Sequence, residues 1–526
     1  MSFLSSYVLG LWLLQVGFGT PSVKTHLGLV HGNFDQKSEV SSYKGIPYAK
    51  APVGDGRFAA PQSWTDAYPA SGFNAVSFGS QCVSAAQPGE EDGLFLNIYV
   101  PTSNTSTPMP VLVFIHGGAF VGGSGSLYDG TNLAMKHGAI IVTMNYRLGA
   151  FGWVQVANGS GNFGLKDQRE ALRFLRRSTN GVSYIGAFGG DTDRMIIFGE
   201  SAGAISVLLH LVSPGSQGLY SGALFESGML AAKIPELALA QGSSFARAAR
   251  CDTSPDVIAC LRSKDTSVIR FADGVVVPPL EDPFIASWGP TVDQLEIPDD
   301  PYKLFIEGKH AHVPVVGGSN TDEGIMFVRP FYALGMSADA YRKFVRKFLS
   351  NGRIFNQTLY DLVLKEYPPS SENVATASRL IADATFVCGA RYVVQHMAEG
   401  FLYHFAYRGL MNESPHGAEL SFVFDYAGKR AGHESLAEIM GDLWVSFART
   451  GRPGSEEQWP KYSLARDENI VFDILDSKPM LTIETGRRAK YCDFWMGSYT
   501  RGGFSLPSLG RVEGFSLPSQ EAFVVV

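Results

Sequence analysis

The sequence predicts an α/β fold in which a large, mostly parallel central sheet is flanked by helices, built as one domain with long loop excursions. Three observations predict it. Short β-branched and aromatic runs alternate with longer segments of helical period, the pattern of parallel strands joined by crossover helices. No compositional break divides the chain between residue 21 and about residue 498. One unit is therefore read, although a length of 526 residues would by itself give roughly three or four domains. Hydrophobic residues at 45% and charged residues at 18% supply enough apolar material for one large core and too much for a disordered chain.

Strands are expected at 110–115, 139–145, 195–198, 223–225, 313–316 and 401–407. Helices are clearest at 165–177 and 434–450. In the second, Leu436, Ile439, Met440, Leu443 and Phe447 follow helical spacing, so one face must pack. Gly451, Arg452 and Pro453 then stop it. Residues 1–20 carry no charge and hold an apolar stretch at 7–16 followed by small residues, which reads as a signal peptide; the alternative is a buried first strand. Four Asn-x-Ser/Thr triplets, at Asn104, Asn158, Asn356 and Asn412, agree with a secreted, extracellular protein. The C-terminal 499–526 repeats GFSLPS at 503–508 and 514–519 and reads as a loosely ordered Gly/Ser/Pro-rich tail.

Charge and cysteine usage remove several function classes. Lys plus Arg is 43 against 50 for Asp plus Glu, a net charge of −7, and no basic patch offsets it. Nucleic acid is not an expected partner. Past the leader, no run approaches the roughly 18 apolar residues of a membrane span, so no stable membrane anchor is expected. Five cysteines are too few to build a fold from disulfides. There is no CxxC, no HExxH and no Cys/His cluster at ligand spacing; His310 and His312 in GKHAHVP read as surface, and no metal is expected.

The chemistry-bearing signal is Gly199-Glu200-Ser201-Ala202-Gly203, after the apolar run MIIF and before the helix-like AGAISVLLHLV. A tight strand-to-helix turn strains its apex, here Ser201, and flanking glycines let neighbouring backbone pass. The helix that follows aims free N–H groups at the reacting oxygen. Upstream, the strand PVLVFI runs into His116-Gly117-Gly118-Ala119-Phe120. The N–H groups of Gly118 and Ala119, with that of Ala202, can form an oxyanion hole for acyl transfer.

Together these residues give the chain a resemblance to the type-B carboxylesterase/lipase family, which includes fungal lipases, liver-type carboxylesterases and cholinesterases; in character it resembles the secreted fungal members most. The likeness runs through Gly45-Ile46-Pro47-Tyr48-Ala49, Arg57-Phe58, Glu91-Asp92, Asn97-Ile98-Tyr99, HGGAF, Asn145-Tyr146-Arg147, Asp167-Gln168 and GESAG. It continues to Glu323 in GSNTDEG and His416 in PHGAEL. The resemblance implies an α/β-hydrolase fold and the catalytic residues Ser201, Glu323 and His416. His416 would take the serine proton and return it to the leaving alkoxide, with Glu323 holding the imidazole. His433 and Asp322 are the nearest rivals for the histidine and the acid. Neither a metal nor an organic cofactor is implied. A histidine base implies activity rising with a midpoint near about 6.5 unless a carboxylate shifts it.

The same resemblance implies ion pairs Arg57–Glu91 and Arg147–Asp167, and disulfides Cys251–Cys260 and Cys388–Cys492. It leaves Cys82 without a partner, because Gly93 stands where the family usually has a cysteine. Glu200 is expected to organise a water or a neighbouring side chain. The stretch 83–92 is short where related lipases and cholinesterases place a lid or an aromatic wall, so an open pocket is expected and a choline ester is not. Residues 327–348 read either as an amphipathic surface helix or as part of an acyl channel. The expected activity is hydrolysis of a small-molecule or lipid carboxylic ester through an acyl-enzyme. A lipase or sterol esterase acting on long acyl chains is the alternative, a non-catalytic binding member of the fold the weaker one, and oligomeric state is open.

Overall fold

The apolar runs pair side by side in a computed structural model that describes residues 20–500 apart from 103–106, 157–160, 277–287, 351–354 and 427–431. The signal-peptide reading, the triplets at Asn104 and Asn158 and the repeated tail motif lie outside the described residues. The central sheet is 11-stranded. In chain order its strands are β1 (Asn33–Asp35), β2 (Val40–Pro47), β3 (Phe95–Pro101), β4 (Met109–Ile115), β5 (Ile140–Met144), β6 (Gly190–Glu200), β7 (Gly222–Glu226), β8 (Val315–Asn320), β9 (Gly400–Phe405), β10 (Glu468–Leu475) and β11 (Lys478–Thr485). Across the sheet they lie in the order β11-β10-β9-β8-β7-β6-β4-β5-β3-β2-β1. Every pairing from β5 to β10 is parallel, and the pairings outside them are antiparallel. The parallel strands are buried almost throughout, as strands covered by helices on both faces must be.

Side-chain alternation divides the core between the two faces. Val111, Val113 and Ile115 of β4 enter one cluster, while Leu112 and Phe114 enter the other. The helices α1 (Phe163–Arg176), α2 (Ala202–Val212) and α3 (His433–Thr450) pack against these faces. In α3 the stripe of Leu436, Met440, Leu443 and Phe447 is buried, with Ile439 only partly so. The helix ends at Gly451 in left-handed conformation, φ 78°, as its sequence implies.

One strand outruns its expected end. The run 313–316 continues as β8 through Gly317 and Gly318 because aromatic rings occupy the space that side chains would need. A Cβ on Gly317 would lie 2.1 Å from the Phe225 ring, and one on Gly318 2.3 Å from Tyr403. Glycine here is a packing requirement rather than a turn signal.

Two disulfides form, Cys251–Cys260 and Cys388–Cys492, and Cys82 is free and buried. A Cβ on Gly93 would stand 2.7 Å from Cys82 Sγ, so position 93 faces the thiol but offers it only a carbonyl acceptor, at 3.5 Å, in place of a disulfide. The surface reading holds for His312 but not for His310, which is buried with its ring stacked on Phe305. Among the described residues no helix is long and apolar enough to cross a membrane, and no group of three or more His, Cys, Asp or Glu side chains could hold a metal ion.

Candidate active site

The chain turns back at β4: β5 is laid on one side of it and β6 on the other, which opens a crevice at the carboxyl ends of β4 and β6. The register aligns Gly199 of β6 with Ile115 of β4 and Phe225 of β7, so three strand ends present their following residues together. At the end of β6, Ser201 adopts φ 57°, ψ −121°, a conformation that costs a non-glycine residue about 1–3 kcal/mol. The turn is held by the Ser201 N–H, which donates to the Glu226 carbonyl at 3.0 Å. It is also crowded: a Cβ on Gly203 would sit 1.9 Å from the Ile115 carbonyl oxygen, so only glycine permits α2 to start so close to β4.

The loop after β4 lies over the serine. A Cβ on Gly117 would be 3.0 Å from the Ser201 Cβ, and Gly118 takes φ 108°. Two local bonds to the Gly118 carbonyl, from the N–H groups of Val121 and Gly122, fix the loop, and Tyr146 Oη donates to the His116 carbonyl at 2.8 Å. Among the described residues no protein acceptor takes the N–H groups of Gly118, Ala119 or Ala202. The residues from Cys82 to Glu91 brace this loop. Gln87 exchanges hydrogen bonds with Gly123, and the Ser84 hydroxyl donates to the Val121 carbonyl.

Glu323 follows β8 and His416 follows β9, and the structure brings the two together: His416 Nδ1–H donates to Glu323 Oε2 at 2.6 Å. The other carboxylate oxygen, Oε1, accepts the Asn320 N–H at 2.6 Å and the Ser227 hydroxyl at 2.5 Å. Glu323 is fully buried. The rings of Phe386 and Phe327 lie against the imidazole, with centroids 4.6 and 5.2 Å away. His416 Nε2 is buried and makes no hydrogen bond among the described residues, although Glu200 Oε1 stands 3.2 Å from it. Ser201 and His416 are thus not hydrogen-bonded in this resting arrangement, a contact that commonly tightens only when substrate arrives.

Neither rival residue enters the site. His433 Nε2 is bonded to Tyr407 Oη at 2.6 Å, and Asp322 takes the Ser414 N–H and pairs with Arg408. The two family ion pairs are present and buried. Arg57 grips Glu91 while also donating to the Leu261 and Lys264 carbonyls, and Arg147 grips Asp167 through two bonds of 2.7 Å. Breaking either pair would strand a buried charge.

The electrostatics follow the branch of the sequence expectation in which carboxylates shift the histidine. Burial pulls the His416 pKa down, but the Glu200 charge and then that of Glu323 overcome it, raising it to about 9. Burial raises Glu200 to about 7, with Glu323 adding to the rise and His416 opposing it. Glu419 is raised to about 8, first by burial and then by the charges of Glu323 and Glu200. Asn320 Nδ2 bonds Glu419 Oε2. Ser227, Asn320, Glu419 and Phe386 therefore shape the site without having been singled out for it in the sequence, whereas Phe327 opens the 327–348 stretch. Of those four, only Glu419, three residues past His416, and Asn320, three before Glu323, carried a positional hint. Residues 327–348 split between both readings: Phe327 reaches His416, whereas the helix Ala338–Ser350 buries Tyr341, Phe344, Val345, Phe348 and Leu349 on one face.

Comparison with known proteins agrees with this geometry. The chain matches the carboxylesterase family over residues 19–495. It is 31% identical to the para-nitrobenzyl esterase of Bacillus subtilis (strain 168) over 495 residues, which cover 86% of this chain and 94% of that protein. It is 32% identical to the cholinesterase of Mus musculus over 518 residues, covering 87% and 83% of the two chains. A solved structure of PNB esterase superimposes with a TM-score of 0.76 at 30% identity, over 90% of this chain and 99% of that one. With a sheet, a serine turn and a glycine loop of this kind, the chain belongs to the carboxylesterase family and is a carboxylic ester hydrolase.

Proposed function

We propose that Ser201 is the nucleophile of this hydrolase, His416 its general base and acid, and Glu323 the carboxylate that orients the imidazole. The observation that carries the reading is the 2.6 Å contact from Glu323 to Nδ1, which leaves a buried Nε2 without a hydrogen bond, 3.2 Å from Glu200, the residue that precedes the strained serine. In the first half-reaction Ser201 Oγ bonds to the ester carbonyl carbon as its proton passes to His416 Nε2. The N–H groups of Gly118, Ala119 and Ala202 meet the negative oxygen, and the alkoxide leaves with the proton from His416. Water, deprotonated by the same nitrogen, then cleaves the acyl-enzyme to the carboxylic acid and free Ser201.

The pocket in this reading is open and favours esters of modest size. Support comes from the stretch between Cys82 and Gly93, which is fastened to the glycine loop rather than arched over it. The reading also includes secretion, with residues 1–20 as the leader, 21–498 as the catalytic domain and 499–526 as a tail. Two disulfides and exposed Asn356 and Asn412 support it. Replacing Ser201 by Ala tests the mechanism: the variant should fold normally and lose about 10⁶-fold in kcat. A fluorophosphonate probe should label the parent at Ser201 and not the variant. Substantial hydrolysis by Ser201→Ala would remove the serine from the mechanism.

A further inference from the structure

We propose that the protein carries a second ligand site, for a small organic anion, in a cavity behind Glu323. The cavity has a volume of about 870 Å³, enough for a drug-sized molecule. Its wall holds Arg329, Arg379, Arg408, Arg487, Arg488 and His404. Four acids share that wall, Asp322, Glu372, Asp383 and Glu413, so five arginines face four carboxylates in a chain whose net charge is −7. The local sign is the reverse of the global one.

Three of the arginines are committed to carboxylates: Arg329 to Glu413, Arg408 to Asp322 and Arg488 to Asp383. A fourth, Arg487, reaches a carboxylate only at 3.8 Å, and Arg379 pairs with none among the described residues. Arg487 donates to the Ser319 hydroxyl at 3.2 Å and the Asn320 carbonyl at 3.0 Å. Its nearest acid, Glu484 at 3.8 Å, already takes bonds from His404 and Asn469. Arg379 bonds the Thr376 hydroxyl at 3.3 Å, and no carboxylate pairs with it among the described residues. Such a guanidinium presents parallel N–H donors suited to a carboxylate or a phosphate.

Two further features define the ligand. Ile325, Met336, Val374 and Val387 line the same cavity, so it offers apolar surface beside the cations. Residues 373–375, the first turn of helix Asn373–Ile381, form part of the wall, and that helix has no side-chain cap, which adds backbone donors and the positive end of its dipole. The ligand class is therefore an oxyanion carried on an apolar body. The cavity is also tied to the reaction site, because Arg487 supports Asn320, whose N–H holds Glu323.

Calorimetric titration of the full chain with benzoate and with phenyl phosphate tests the proposal, with benzamide as the uncharged match. At least one anion should show a saturable binding event that benzamide lacks, and the anion that binds tighter identifies the headgroup. Arg379→Gln, at an exposed position away from Ser201 and His416, should weaken that event at least tenfold while hydrolysis of a short p-nitrophenyl ester is unchanged. Val374→Glu, which sets a carboxylate in the wall, should cause the same loss independently. Absence of saturable anion binding, equal binding of benzamide, or an affinity unaltered by Arg379→Gln would each overturn the site.

Discussion

His416 meets more negative charge than a histidine base ordinarily does. Glu200 and Glu323 flank its two ring nitrogens at 3.2 and 2.6 Å, and both charges favour the imidazolium. In the proposed mechanism the base acts as neutral imidazole, so a pKa raised to about 9 would place the rise of kcat/KM well above the midpoint of a free histidine. Removing the Glu200 charge removes the largest upward influence on that pKa. Glu200→Gln should therefore shift the midpoint of the pH–rate profile to lower pH by about 1–3 units, measured as kcat/KM on one small ester from pH 5 to 10. A midpoint that stays in place would show that Glu200 does not set the charge state of His416. Ser201 stood out in the sequence through its strand-turn-helix motif, whereas Glu323 and His416 were implied by the family resemblance. Phe386 was not: it lies in a π-helical turn, Ala382–Val387, whose ring reaches the imidazole only because the chain folds back over it.

Elements were legible in proportion to how uniformly they are buried. Of the inner strands, β4, β5, β7, β9 and the second half of β6 are largely apolar runs because helices cover both their faces, and such runs stand out in any sequence. The outer strands did not stand out. β2, VSSYKGIP, mixes burial classes and shifts register between Tyr43 and Ile46, and β11, KPMLTIET, is largely exposed. Strands of this mixed pattern are specified by partners rather than by their own sequence. The two disulfides act at the same scale. Cys388–Cys492 ties the helix Cys388–Gln395 to the helix Ala489–Thr500 across a sequence separation of 104, whereas Cys251–Cys260 spans 9. On the chain-entropy account, replacing the long bridge by alanines should lower unfolding free energy by about 2 kcal/mol more than replacing the short one. Equilibrium denaturation of the two double variants measures the difference, and equal losses would mean that native packing rather than chain entropy sets their contributions.

Across the whole molecule the turn-back of the chain at β4 places the crevice at the strand ends, and in the proposed reading the braced stretch after Cys82 keeps the pocket open. The Arg57–Glu91 pair closes that stretch where Gly93 leaves Cys82 without a disulfide, and the stretch's bonds to Val121 and Gly123 join it to the glycine loop. A segment held at both points has little freedom to act as a flap. Hydrolysis of p-nitrophenyl esters should therefore favour butyrate over palmitate, with no step in rate as the substrate passes its micelle concentration. A several-fold jump there would reveal a lid built from another part of the chain. By itself the sequence determined the layered α/β architecture, the serine turn and the glycine loop, because each is written in local composition or in motifs of a few residues, while the pairing of four cysteines was implied only by the family resemblance. Only the tertiary structure decided that Glu200 would crowd His416 with charge, that Ser227 and Asn320 would hold Glu323, and that five arginines would share one cavity. Those arrangements join residues distant along the chain, and burial then strengthens every charge among them, a consequence no local pattern carries.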